Sequence, residues 1–312
     1  MRRIALALVA GGILAAAAPS WQWSLPVGIS APSVPADNAM SAAKVALGHR
    51  LFYDADLSID GTMACSTCHE QHRGFADGNR THAGVHGDPG RRNVPGLANV
   101  AWRRVLTWGD PRPSSLEAQA AIPLTGKTPI EMGMAVDSPD LARRLGRDAC
   151  YRRLFRAAFP GTGGRIDQAS VAMALAAFER TMVSFDAPAD RGAAPAVGAA
   201  IFAAKCASCH AGHDYTDGRF HRLLPTSATD RGAGEITGRS DDDGAFRTPS
   251  LRNVRDRPVV ARRLGRDPGR RACGPSGQRP GRSAGADRLP GGADGPPVPH
   301  GRAFGLPQPS RR

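Results

Sequence analysis

Cys65-Ser66-Thr67-Cys68-His69 and Cys206-Ala207-Ser208-Cys209-His210 are the two stretches whose reading decides the fold of this chain. Both spell C-x-x-C-H, the signature of covalent c-type haem attachment. Two thiols three positions apart can reach the two vinyl groups of one porphyrin, and the adjoining imidazole then sits under the iron as its axial nitrogen ligand. With 6 Cys and 9 His in 312 residues, one such string arises by chance in roughly three chains per thousand. Two together are not chance. A zinc site would need further ligands at finger spacing, and a thioredoxin-like dithiol needs no histidine after it.

Working outward, a chain of 312 residues has room for two compact domains, and the separation of the two motifs suggests one haem in each. Met1-Arg2-Arg3 followed by an apolar run from Ile4 to Ala18 reads as a signal peptide over residues 1–18. Ala16-Ala17-Ala18 fits a cleavage site, and Pro19 directly after it leaves an uncleaved anchor as the alternative. In both cases the body is exported, and a periplasmic location is expected. Residues 19–40 read as a Pro- and Ser-rich linker.

From Ser41 the apolar spacing becomes helical, with Ala43, Leu47, Leu51 and Phe52 on one face. Leu141, Leu145, Leu154 and Phe155 mark a further helical region, ended by Phe159-Pro160-Gly161. Val171 to Val183 forms another, with Asp167 as its cap. A short helix at 197–204 leads into the second motif. No strand-rich region stands out, so the expected class is all-α: two cytochrome c-like helical domains, at 41–188 and 189–254. Cys150 is expected as a buried thiol. His72, His82 and His213 are expected as exposed loop histidines.

The net charge of +13 invites a nucleic-acid reading, but its distribution argues against one. Residues 255–312 hold 13 Arg and 4 Asp, a charge of +9, which leaves +4 for residues 1–254. No aromatic-and-basic recognition module accompanies the basic tail.

Several strings between and around the motifs resemble the bacterial di-haem cytochrome c peroxidase and MauG superfamily. They include Ala46-Leu47-Gly48-His49-Arg50-Leu51-Phe52-Tyr53-Asp54, Gly74-Phe75-Ala76-Asp77-Gly78 and Arg92-Asn93-Val94-Pro95. They continue with Ala177-Phe178-Glu179-Arg180-Thr181 and Phe246-Arg247-Thr248-Pro249-Ser250-Leu251-Arg252-Asn253. Leu97 to Trp102, with Leu106-Thr107-Trp108, resembles the MbnH-type branch, which oxidises residues of a partner protein.

The resemblance implies two covalent haems. His69 is then the proximal ligand of the haem where hydrogen peroxide reacts, and His210 that of a second, electron-relaying haem. It assigns Trp108 to the space between the haems and Gln119 to the distal pocket. Glu131 becomes the catalytic carboxylate that moves a proton between the peroxide oxygens. The bland readings are a core aromatic for Trp108 and a surface glutamate for Glu131. One extra residue between Trp108 and Leu116, and about two more before Glu131, depart from the family spacing.

Asn93 matches a ligand of an interdomain calcium site, although a lone loop asparagine is usually a turn residue. A sixth ligand of the first haem would fall on Val85. A shift of one residue would make it His86 instead. Reductant is implied to come from a small cytochrome c or a cupredoxin, or from aromatic residues of a protein substrate. A plain di-haem electron-transfer cytochrome is the competing function.

Past Val254 the family would continue with T-x-P-x-x-H-D-G-S. Back-translation of residues 256–268 with a one-base shift permits that string, so residues 255–312 are expected to be an out-of-frame, disordered, basic tail. A genuine basic tail that binds an acidic partner or a membrane is the alternative. This region contains neither Met nor Tyr, the two residue types that ligate the second iron across the family. It also contains Cys273.

Overall fold

The computed structural model describes residues 21–222 and 229–254. The expected signal peptide, the aberrant tail and Cys273 lie outside the described residues. The described chain carries eight α-helices: α1 (Ala42–Phe52), α2 (Cys65–Cys68), α3 (Leu116–Thr125), α4 (Asp140–Leu145), α5 (Ala149–Ala158), α6 (Gln168–Glu179), α7 (Ala196–Lys205) and α8 (Gly234–Thr237). None of the described helices is long and apolar enough to cross a membrane.

The best-formed helices start where the sequence places a capping side chain. Ser41 Oγ accepts from Lys44 N at 3.2 Å to open α1, and Asp167 Oδ1 accepts from Ser170 N at 2.8 Å to open α6. Each cap satisfies a backbone donor that the first helical turn cannot. Leu141 to Phe155 is two helices, not one. Asp148 stands between α4 and α5 and accepts from Cys150 N at 2.7 Å, starting the second helix afresh.

The core forms where α6 packs across α1 and α3, with α5 against the other side of α1. Leu47, Leu51 and Phe52 of α1 meet Val171, Leu175 and Phe178 of α6, all of them buried. Gly48 sets how close the two helices come. A Cβ there would overlap the carbonyl of Ala174 and lie 2.9 Å from Phe178 Cβ, so no larger residue fits without separating them.

The all-α expectation needs one correction. Two three-residue strands, β1 (Phe220–Arg222) and β2 (Ala245–Arg247), pair antiparallel with Phe220 opposite Arg247. Strands this short show no usable alternation, and their pairing crosses more than twenty residues of intervening chain. The structure also corrects the expectation for Cys150. It is half-buried on α5, with Sγ 3.6 Å from both Arg50 Nη1 and Arg153 Nη2. The five described cysteines form no disulfide.

Charged pairs bind the region around the first motif to the region around the second. Arg92 meets Asp230 at 2.7 Å, Arg103 meets Asp214 at 3.0 Å, and Arg91 meets Glu235 at 2.6 Å. Arg252 grips Asp190 through two 2.7 Å hydrogen bonds. The Arg103 and Arg252 side chains are almost fully buried. Removing one partner of such a pair leaves an uncompensated charge and costs roughly 3–5 kcal/mol.

Candidate functional site

The two C-x-x-C-H segments adopt the same local device. His69 Nδ1 pairs with the carbonyl of Phe75 at 2.7 Å, and His210 Nδ1 pairs with the carbonyl of Tyr215 at 3.0 Å. Both carbonyls belong to residues in the left-handed region, Phe75 at φ 58° and Tyr215 at φ 49°. An aromatic residue there costs of order 1–3 kcal/mol, a strain that persists when the surroundings over-determine it. In return the carbonyl is aimed at the imidazole. With the proton held on Nδ1, Nε2 carries the lone pair that a metal requires, and the ring plane is set.

Around the first motif the pocket is aromatic and acidic at once. Phe52 meets the His69 ring at 6.4 Å, Phe75 at 5.9 Å and Phe178 at 5.3 Å, forming an apolar wall behind the histidine. Burial raises the Cys65 and Cys68 thiols, Cys68 to about 12. The same burial lowers His69 and keeps its ring neutral. A half-buried pair of thiols, a neutral imidazole with an oriented lone pair and an apolar aromatic wall fit a c-type haem. The second motif supplies the same donor set, with Cys206 buried and Cys209 half-buried.

Glu131 comes close enough to Cys65 and Cys68 for its charge to raise both thiols. Its main chain is clamped. Glu131 O accepts from Val85 N at 2.8 Å, and Met132 N donates to Pro123 O at 3.0 Å, past the bend of α3. Gly84 permits the clamp, since a Cβ there would run into the Ile130 carbonyl. The residue is exposed, yet protein crowds its carboxyl. That crowding pushes the carboxyl above the ordinary range, and His82 partly offsets it.

His82 departs from the sequence expectation. It is half-buried, with Nδ1 3.1 Å from Oδ2 of Asp77, a carboxylate with no solvent exposure. Its charge acts on Glu131, which joins it to the pocket. His72 and His213 are exposed, as expected, and so is His86. Val85 is half-buried beside Glu131. Gln119 lies half-buried on α3, one residue before the buried Ala120.

Trp108 and Asn93 come together at the seam between the two regions. The buried Trp108 indole donates to the Asn93 carbonyl at 2.7 Å. The Arg247 guanidinium carbon lies 5.5 Å from the Trp108 ring, and Arg247 N donates to Trp108 O at 2.9 Å. Asn93 is 2% exposed, its Nδ2 donates to Asn79 O at 2.8 Å, and its Oδ1 has no hydrogen-bond partner. An orphaned buried carbonyl oxygen is what a hard cation such as calcium takes as a ligand.

Glu179 went without a role in the sequence reading. It is 6% exposed, its Oε2 is unpartnered, and burial pushes its carboxyl up to about 8. Its charge also acts on Cys65. The next residue, Arg180, turns away and clamps Glu117 at 2.8 and 3.0 Å. Position in the run Ala177 to Thr181 was the available signal, but nothing in sequence separates a buried carboxyl from a surface one.

The fold and the site define a class: a mostly helical chain that presents two C-x-x-C-H segments whose imidazoles are each bonded to a carbonyl, with Glu131 near the first. The chain belongs to the di-haem cytochrome c peroxidase family, whose model matches residues 42–195. The methylamine utilization protein MauG of Methylorubrum extorquens is 40% identical over 71% of this chain, which spans 65% of that protein. The cytochrome-c peroxidase IdrP1 of Denitromonas iodatirespirans is 34% identical, covering 81% of this chain and 77% of its own length. A crystal structure of a MauG-like protein associated with microbial copper homeostasis superposes with a TM-score of 0.70 at 38% identity, covering 76% of each chain. Homologues carry the names of di-haem oxidoreductases, and the family uses haem c.

Proposed function

We propose that this chain is an exported, periplasmic di-haem oxidase that uses hydrogen peroxide to oxidise a protein partner. Cys65, Cys68 and His69 would hold one haem c, the two thiols by covalent attachment and His69 through Nε2 on its iron. A second is held by Cys206, Cys209 and His210, in helical domains spanning 41–188 and 189–254. When bound, the first haem supplies an iron at which peroxide is reduced by two electrons.

The chain's own residues do the rest. Glu131 takes a proton from one peroxide oxygen and returns it to the other. A carboxyl raised above its ordinary range by burial is suited to both halves of that transfer. His82, anchored by Asp77, partly offsets the rise that burial imposes on Glu131. Gln119, on α3, would hydrogen-bond peroxide and orient it. Trp108 occupies the seam through which oxidising equivalents are shared, and Asn93 Oδ1 is available to a calcium ion there. Reductant comes from a small cytochrome c or cupredoxin, or from aromatic side chains of a partner. The likeness to MauG proteins favours the last.

The carrying observation is the Glu131 carboxyl clamped beside Cys65 and Cys68. The test is an absorption spectrum of the oxidised, haem-loaded protein with and without peroxide. A high-spin component that changes on adding peroxide supports the reading. Two low-spin irons inert to peroxide would make this an electron-transfer cytochrome.

A further inference from the structure

Cys209, Asp217 and His221 each present one ligand atom, and the three atoms lie within 4.8 Å of one another. Among the described residues no other His, Cys, Asp or Glu side chains converge in this way. All three are half-buried. Asp217 N donates to Cys209 O at 2.8 Å, which folds the chain back onto the second motif. Arg219 N donates to Asp217 Oδ1 at 3.0 Å and leaves Oδ2 to His221 Nε2, 2.7 Å away. His221 sits in β1 opposite Phe246, and β2 is buried along its length, so the imidazole is carried on a fixed backbone.

Thiolate, imidazole and carboxylate together suit zinc, whereas calcium and magnesium take oxygen donors. Two anionic donors and a neutral imidazole balance a dication, so the loaded site is neutral, as half-burial requires. Burial works against the Asp217 charge, yet the hydrogen bonds that the carboxylate accepts hold it below the ordinary range. Three protein ligands leave one corner of a tetrahedron to water. The Thr248 hydroxyl lies close enough to act on Asp217, is 3% exposed and has no hydrogen-bond partner. An unsatisfied buried hydroxyl beside such a carboxylate marks a place for a further polar group.

We propose that Cys209, Asp217 and His221 bind one zinc ion in the chain before haem is attached at the second motif. The thiol proton goes to solvent, and the His221 ring proton moves to Nδ1 to free Nε2 for the metal. One proton is released per ion, and no electron moves. Zinc and haem exclude each other, because thioether formation adds the Cys209 S–H across a vinyl group and removes the thiolate. Bound zinc therefore holds Cys209 back from haem. Only this exclusion rests on the haem reading above; the ligand set stands without it.

The test titrates the full chain, made without haem, with cobalt(II) alone, an absorbing stand-in for zinc. One equivalent should bind with a sulfur-to-cobalt charge-transfer band in the near ultraviolet and the visible bands of a four-coordinate ion, and zinc should displace it. Cys209→Ser removes the charge-transfer band. His221→Ala weakens binding by roughly 10-fold or more. Asp217→Asn weakens it several-fold, and His213→Ala, on the exposed part of the same loop, leaves it unchanged. X-ray absorption of the native chain with zinc finds one sulfur beside nitrogen and oxygen donors. Two sulfurs per zinc would assign the ion to the Cys206 and Cys209 pair and overturn the site. So would absence of binding, or binding unchanged in both His221→Ala and Asp217→Asn. After haem loading the charge-transfer band should be gone. A loaded chain that keeps the full band refutes Cys209 as a haem thiol and leaves the zinc site standing.

Discussion

Replacing Glu179 with Gln should remove a pH dependence of stability that the native chain carries. The carboxyl is 6% exposed, and its Oε2 finds no partner. Burial raises it from the ordinary 4.5 to about 8, with Arg180 pulling down and Glu117 pushing up. Between those two values the unfolded chain has released this proton and the folded chain still holds it. The folded state then binds more protons, so stability is lost as pH rises through the window. At about 1.36 kcal/mol per pH unit, the loss is at most roughly 5 kcal/mol. The Gln variant does not titrate. Its amide N–H₂ meets the same unpartnered surroundings, at a pH-independent cost of roughly 1–3 kcal/mol. The variant should therefore be less stable than the native chain at pH 5 and as stable or more so at pH 8. Urea unfolding of both proteins at pH 5, 6.5 and 8 reads this directly. Two stability curves running parallel across that range would refute the placement of a neutral carboxyl at Glu179.

Further outcomes follow from the same geometry. Gly84→Ala should displace Ile130 and Glu131, because the new methyl meets the Ile130 carbonyl. Peroxide response should fall while the reduced haem spectrum and haem content, read by pyridine haemochrome, stay unchanged. Glu131→Gln keeps the side-chain volume but cannot carry a proton between peroxide oxygens, and stopped-flow with peroxide should show a loss of roughly 10²–10⁴-fold. Phe52→Ala deletes a fully buried ring that touches Phe75 and Phe178, and chemical denaturation should show a loss of roughly 3–5 kcal/mol. Asn93→Ala removes the orphaned Oδ1, and calcium titration followed by calorimetry should lose whatever binding the native chain shows.

Where local rules decide, the sequence was legible. Asp167 announced its helix because a capping oxygen acts on backbone only three residues away, and the apolar spacing from Ser41 announced α1. The two C-x-x-C-H strings were legible because thiol spacing and the adjoining imidazole lie within one short segment. The break between α4 and α5 was missed although Asp148 is a capping residue, because the apolar spacing carries through it. The two strands were missed because three residues hold no period. His82 was misplaced because its partner is decided by a loop closing on the buried Asp77, and a loop has no periodicity to read.

What the chain's order alone determined is therefore chemistry that fits inside a few residues: the two C-x-x-C-H segments, the capped helices around them, and the family to which they belong. Only the tertiary structure decided that the Phe75 and Tyr215 carbonyls bond the two imidazoles, that Glu131 and Glu179 both come near Cys65, and that Glu179 is buried there. Those depend on burial and on contacts between distant segments. Burial is what turns an ordinary carboxylate into a neutral acid, and no single stretch of residues contains the neighbours that bury it.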